Sequence, residues 1–368
     1  MPEEEKDPSL YAGLPQGLQV FPVKSQPFRF HHVRERLQVM QRPLGWCEAA
    51  TTKGLQILQD APINAIWATW GPRAAHHIAS QLHAKTGTPW IADYRDITER
   101  DFEGKGIDWV RQTWLYDAER KLIASAAYVT TVTPAWVDIL RQRLRRDVEL
   151  LTNAFDPGDF ELFAPDESSV DQRDGRFHIV HCGNISTNLY PFLETFLYAL
   201  KEAITRIGTN EDEITCELIG NDNTIIREII SRTQTQPYVA VRGRVSRREA
   251  IQAIRQANAL LLFAYPGQGR HTAKLLDYLG AGIPILSFPR DPGGAADVLE
   301  ETKAGIVINA QEELVNMLST KLQEWRTGTV PVFSPIKEAV EKYSWRENIR
   351  KMVGLLNHLV DGSEDNGR

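Results

Sequence analysis

The sequence predicts an α/β protein made of two tandem, doubly wound parallel domains. Three observations predict it. Short apolar runs alternate with longer amphipathic segments, and the alternation runs twice. A polar stretch rich in Pro, Gly and Asp, "DPGDFELFAPDESSVDQRDG" (156–175), separates the two series. The chain's 368 residues exceed one ordinary domain. Strand-helix units repeated in this way build a parallel sheet with helices on both faces.

In the first series, "INAIWATW" (63–70) reads as a buried strand and "RAAHHIASQLHAKTG" (73–87) as the helix after it. "PWIADYRD" (89–96) is a strand that ends in charges, and "WVRQTWLYDAERKLIASA" (109–126) is a helix. "YVTTVT" (128–133) is a strand, "PAWVDILRQRL" (134–144) a helix with proline in its first turn, and "VELLTNAF" (148–155) a strand. The second series opens with strand "FHIVHCG" (177–183), helix "LYPFLETFLYALKEAITRI" (189–207) and strand "ITCELIG" (214–220). Helix "NTIIREIISRTQ" (223–234) and strand "YVAVRGRV" (238–245) follow. "SRREAIQAIRQA" (246–257) is a helix whose Ser246 and Glu249 form a capping box. Strands "NALLLFAY" (258–265), "PILSFP" (284–289) and "AGIVIN" (304–309) and a final helix "WRENIRKMVGLLNHLV" (345–360) complete it.

Hydrophobic residues at 42% and charged residues at 24% describe a soluble globular protein. A formal net charge of -6 argues against a nucleic-acid binder. Cys47, Cys182 and Cys216 are odd in number and have no metal-ligand spacing, which favours reduced thiols and a cytoplasmic setting. The acidic start "MPEEEKDP" lacks the apolar core of a signal peptide, and no apolar run nears the roughly 20 residues of a membrane helix. "RQRLRR" (141–146) reads as a solvated helix end, or as a peripheral contact with anionic lipid on the inner membrane surface.

Ligands of open parallel sheets bind outside the carboxyl ends of the strands. In the second series those exits hold Gly183–Asn184, Gly220–Asn221–Asp222, Gly243–Arg244 and the loop from Pro266 to Thr272. A glycine there is ordinary turn chemistry when alone; repeated, it points to a nucleotide or phosphate. After "ALLLFAY", the turn "PGQGRH" leads to Thr272, which can cap the helix "AKLLDYLGA". Lys274, in its first turn, opposes the helix macrodipole, and an anionic ligand would give that cation a reason. Asp277, three residues on, shares its face and suits ribose hydroxyls; the plainer reading is an i,i+3 Lys–Asp pair. No Walker sequence or GxGxxG fingerprint stands at a suitable junction. In the first series, Asp93, Arg95 and Asp96 lie at a strand end, either facing a crevice or paired with one another. His76 is a candidate contact there, with packing as the alternative.

"PWIADYRD", "VELLTNAFDPGDF", "VAVRGRVSRREAIQAIRQANALLLF" and "AKLLDYLGAGIPIL...GIVI" resemble the GT-B glycosyltransferases, which pair two Rossmann-like domains. The group they resemble most is the retaining family 4 enzymes (glycosyl transferase group 1). The resemblance runs from about Leu10 to the final helix. It implies an acceptor-side domain over 1–160, a donor domain over 161–335 and a tail over 336–368 whose helix returns to the first domain. It implies a nucleotide-sugar donor, a glycan or lipid-linked acceptor, and no metal or other cofactor. Carried over, Asp277 holds the ribose and Lys274 meets phosphate. Gly269, Arg270, His271 and Thr272 belong to the loop around diphosphate and sugar. Gly183, Asn184 and Gly220 line strand exits, and Arg244 and Val245 lie beside the base. Asp96 with Arg95 faces the reacting end, with His76 and Asp93 on the acceptor side.

The chain departs from that pattern in four places. The carboxylate that many members carry eight residues before position 277 would fall at Gly269. Asp277 is shorter than the usual Glu. "NISTNLYP", after Gly183, lacks the basic residue that often meets diphosphate there, which leaves Lys274 and Arg270 to supply the charge. Nothing in the sequence matches the family's first strand, Gly-rich loop and helix, so the expectation for this chain alone is poor stability or weak activity. The leading expectation is a retaining glycosyltransferase of polysaccharide or glycoconjugate biosynthesis. The alternatives are a catalytically impaired homologue that binds or regulates, and a sugar-nucleotide epimerase.

Overall fold

The computed structural model describes residues 17–24, 44–70, 74–97, 116–162, 175–329 and 333–365. Contacts divide the chain into two units. The first comprises residues 1–131, 137–150 and 354–368, and the second 132–136 and 151–353.

The first unit holds α1 (Leu44–Asp60), β1 (Ile66–Thr69), α2 (Ala74–Thr86), β2 (Trp90–Tyr94), α3 (116–123), β3 (Tyr128–Thr131) and β4 (Glu149–Leu150), with most of α4 (Pro134–Leu144). Its strands are all parallel, in the order β1-β2-β3-β4. All five residues of β2 are buried, as a strand covered on both faces requires. Residues 148–155 form far less strand than their pattern predicts: Glu149 and Leu150 pair with β3, and Phe155 makes an isolated parallel bridge to Ser344. Helix α1 has no counterpart in the sequence reading, and residues 98–115, the start of the predicted 109–126 helix among them, lie outside the described residues.

A buried ion pair sits among the described residues of this unit. Arg143 Nη2 lies 3.2 Å from Glu119 Oε1, which also accepts from Tyr94 Oη at 2.9 Å. Arg143 belongs to "RQRLRR", so at least one arginine of the run read as a solvated helix end is buried. Arg146 donates to the carbonyls of Ile123 and Ala126, both at 2.8 Å, and so caps the end of α3. With Arg143 and Arg146 turned inward, Arg141 and Arg145 are the exposed arginines of the run.

The second unit contains α5 (Pro157–Leu162), β5 (Phe177–Cys182), α6 (Tyr190–Ile207), β6 (Ile214–Ile219), α7 (Thr224–Arg232), β7 (Val239–Arg242), α8 (Arg247–Gln256) and β8 (Ala259–Phe263). It continues with α9 (Ala273–Ala281), β9 (Ile285–Phe288), α10 (Ala295–Thr302), β10 (Gly305–Val307), α11 (Gln311–Arg326), α12 (Lys337–Glu341) and the start of α13 (Trp345–Asp365). The capping box of α8 forms as its sequence predicts. Two apolar layers sandwich the sheet. One is built on Leu193, Phe196 and Leu200 of α6 with Leu314 and Leu318 of α11, the other on Ile251, Ile254, Leu275, Leu279 and Val298.

The stretch read as a linker begins with structure. Asp156 Oδ1 accepts from Gly158 N at 2.9 Å, Pro157 takes the first helical position, and α5 follows. Phe160 is buried and meets Phe155 edge to face, ring centroids 6.4 Å apart. Residues 163–174 lie outside the described ones.

The six strands run parallel in the order β10-β9-β8-β5-β6-β7. From β5 the chain winds outward through β6 and β7, then crosses back to β8 on the other side of β5. The strand order therefore reverses between β5 and β8, and the crevice above that point is where a doubly wound sheet receives a ligand.

Candidate functional site

The exits of β5 and β8 are locked together beneath the crevice. His181, buried in β5, faces Leu261 O through Nδ1 at 2.9 Å and Gly183 O through Nε2 at 3.0 Å. Burial, with the nearby Lys274 charge, lowers its pKa to about 3, so the imidazole is neutral and donates from one nitrogen. Tyr278 Oη accepts from Cys182 N at 2.7 Å. Asn221 fixes the loop after β5 by accepting from Ile185 N at 2.8 Å and donating to Ile185 O at 2.9 Å. Ser186 Oγ and Tyr265 Oη, 2.9 Å apart, join the two loops.

Lys274 spans this platform. Thr272 caps α9, with Leu275 N donating to its Oγ1 at 3.3 Å, and Lys274 leaves the first turn across Gly183. A Cβ on Gly183 would lie 2.3 Å from Lys274 Cε, and its φ of +119° is one that side chains rarely adopt. Lys274 Nζ donates to Asn184 O at 2.7 Å. The basic group that the sequence lacks after Gly183 is thus delivered there from α9. Burial lowers the lysine's pKa. Gly220, with φ +144°, lies directly behind: a Cβ there would stand 2.6 Å from the Gly183 carbonyl carbon.

Lys274 and Asp277 do not form the i,i+3 pair that their spacing allows. Asp277 takes the guanidinium of Arg247 in a fork, Oδ2 from Nη1 at 2.7 Å and Oδ1 from Nη2 at 2.8 Å. Arg247 also donates to Asp159 Oδ2 of α5, from Nη2 at 2.8 Å and Nε at 3.1 Å. The two carboxylates hold its pKa well above the ordinary arginine value. Arg247 and Asp159 are absent from the sequence-derived candidates. Arg244 is exposed on the loop before α8, and Val245 packs part-buried against the core.

The amides of Gly267, Gln268, Gly269 and Arg270 lie toward Asp291, which is only 1% exposed, rather than standing uncovered. Burial raises the Asp291 pKa to about 6, and those amides pull against the rise. Neither carboxylate oxygen has a hydrogen bond of ordinary geometry. A Cβ on Gly294 would stand 2.1 Å from Asp291 Oδ2, so the carboxylate fills the space that glycine leaves. Gly269 has φ +56°, and a Cβ there would lie 2.7 Å from Ala135 Cβ and 3.1 Å from Gly293 O, so this position has no room for a carboxylate side chain. Arg270 stacks its guanidinium over Tyr265 at 5.5 Å. His271 is buried against Tyr343, ring centroids 6.0 Å apart, and burial lowers its pKa to about 4. Asp291 lies in "RDPGG" at the β9 exit, a strand exit absent from the sequence-derived candidates.

Asp291 carries a pH prediction. Its folded pKa stands above the ordinary 3.8, so its contribution to stability is fully present below that value and is lost as pH rises through about 6. The difference amounts to about 3 kcal/mol at most. Thermal midpoints of Asp291→Asn should therefore fall less between pH 5 and 7 than those of the unaltered protein. Parallel curves would refute the assignment.

In the first unit the structure separates the candidates. His76 is fully buried among Trp70, Trp90 and Tyr94, its Nε2 facing the carbonyls of Ala68 at 3.1 Å and Asp93 at 3.3 Å. Burial lowers its pKa to about 4, so it is a neutral packing histidine and not an acceptor contact. Asp93 points inward from central β2 and accepts from Thr130 Oγ1 at 2.6 Å, Arg95 Nε at 2.8 Å and Thr69 Oγ1 at 3.1 Å. Its expected acceptor-side role is corrected for that reason. Arg95, part-exposed, and Asp96, exposed, stand at the carboxyl end of β2. Among the described residues no His, Cys, Asp and Glu cluster could hold a metal, and no helix is long and apolar enough to cross a membrane.

Two parallel sheets with flanking helices, the second reversing order at β5 and β8, define the GT-B class of fold. Solved structures share it, three of which illustrate the likeness. HepE from Anabaena, in complex with UDP and glucose, matches with a TM-score of 0.62 at 13% identity, covering 83% of this chain and 81% of that one. Sucrose-phosphate synthase from Thermosynechococcus elongatus gives 0.65 at 14% identity over 92% and 83%. Trehalose 6-phosphate synthase from Burkholderia multivorans gives 0.60 at 11% identity over 88% and 76%. By sequence, the chain matches no protein-family model and no curated protein.

Proposed function

We propose that this protein is a glycosyltransferase that takes a sugar from a nucleotide-sugar donor and passes it, with retention, to a glycan or lipid-linked acceptor in polysaccharide or glycoconjugate biosynthesis. The observation that carries the reading is the Lys274 ammonium, laid over Gly183 to Asn184 O at the β5/β8 crevice beside the N-terminus of α9. A diphosphate leaving group at that point would meet the lysine and the first-turn amides of α9, and preorganised positive groups of this kind stabilise charge as it develops. Asp277, one turn further along, would hold the ribose. Asp96 and Arg95 are the residues we place at the reacting end of the sugar. HepE, solved with UDP and glucose, supports a nucleotide-sugar donor. Reduced Cys47, Cys182 and Cys216 support a cytoplasmic setting.

Two observations favour a second reading, a homologue that binds without turning over. Gly269 has no room for a carboxylate, and Asp277 is already held by Arg247. A screen of UDP- and GDP-sugars for transfer and hydrolysis separates the readings. Transfer with retained anomeric configuration supports the proposal, binding without turnover supports the second reading, and interconversion of donor sugars indicates an epimerase.

A further inference from the structure

The cluster of Asp159, Arg247 and Asp277 contains one cation and two carboxylates, and Arg247 uses them unequally. Asp277 gives each oxygen to a separate guanidinium nitrogen. Asp159 offers Oδ2 alone, to Nε and Nη2, and its Oδ1 has no hydrogen-bond partner among the described residues. Nη2 already bridges the carboxylates, 2.8 Å from Asp277 Oδ1 and 2.8 Å from Asp159 Oδ2. All three side chains are part-exposed, at 31% for Arg247, 29% for Asp159 and 19% for Asp277. A fixed ion pair needs only one carboxylate. This triad has a formal charge of −1, so one carboxylate can always serve a ligand while the arginine stays paired.

We propose that Arg247 is an exchangeable guard on Asp277: it holds that carboxylate while the site is empty and passes wholly to Asp159 when a ribose diol takes Asp277. The inference rests on the reading of Asp277 as the ribose group. A vicinal diol needs two acceptor oxygens side by side, and the Arg247 fork occupies that pair. Releasing a part-buried guanidinium without another partner would be costly, and Asp159, already 2.8 Å from Nη2 and 3.1 Å from Nε, supplies one. Arg247 and Asp159 are thus positioning residues for donor recognition, and α5, outside the sheet, becomes part of the nucleotide site.

The test measures affinities of the full chain for UDP, GDP and ADP, each against its 2′,3′-dideoxy analogue, by calorimetry. A diol on a carboxylate should favour the ribo form about tenfold or more. Asp277→Asn should erase that preference. Asp159→Asn should reduce it to about twofold, because Arg247 then has nowhere to go, and Asp159→Glu should restore it. Arg247→Gln should keep the preference or increase it. The ribo-to-dideoxy ratio is taken within each variant, so a general loss of folded protein does not alter it. An unchanged preference in Asp159→Asn, or its loss in Arg247→Gln, overturns the exchange and makes Arg247 a fixed orienting group. A preference that survives Asp277→Asn overturns the ribose reading itself, and the exchange with it.

Discussion

Replacing Lys274 with Met is expected to lower kcat/KM for the sugar donor about a hundredfold or more, the usual cost of removing one preorganised group from a developing anion. The substitution keeps an unbranched apolar stem as far as Cε and removes only the ammonium, so the passage over Gly183 stays filled and the fold should hold. Arg should rescue little. The lysine stem crosses so close to Gly183 that even a methyl group there would overlap Cε, and a planar guanidinium is wider than a methylene chain. Steady-state kinetics decide it: a Lys274→Met enzyme within threefold of the parent would remove Lys274 from the leaving-group site.

Gly220→Ala should cost about 3 kcal/mol or more of stability for a single methyl. Two costs add. The φ of +144° disfavours any side chain, and the new Cβ would stand 2.6 Å from the Gly183 carbonyl carbon and 2.7 Å from its oxygen. Both obstacles are backbone, so no rotamer change relieves them. Displacing Gly183 would also carry Asn184 and its lysine contact away, so donor affinity should fall with stability. Urea unfolding measures the first effect, and a loss below 1 kcal/mol would show that the strand exits are more yielding than their contacts indicate.

The sheets were legible because buried parallel strands read as nearly unbroken apolar runs, as in "ALLLF" of β8, and because Gly208 and Thr272 mark helix ends in ordinary ways. What escaped was whatever depends on partners distant in sequence. Asp159 lay inside a stretch whose Pro, Gly and Asp content suggested a linker, and that same Asp-Pro step starts α5. "RQRLRR" looked solvated because a run of charge gives no hint that two of its arginines bend inward, one to a carboxylate and one to backbone carbonyls. His76 and Asp93 sat at the right ends of the right elements, but pleat and helix phase turned them into the core. The missing base after Gly183 was judged from chain order, and Lys274 fills that place from another element.

Helix α9 also works as a ruler. Leu275, Leu276, Tyr278 and Leu279 pin it to the sheet, so the helix cannot turn about its own axis, and the step from ammonium to carboxylate is set by one turn of backbone. An inserted residue between Lys274 and Asp277 would swing one group about 100° away from the other.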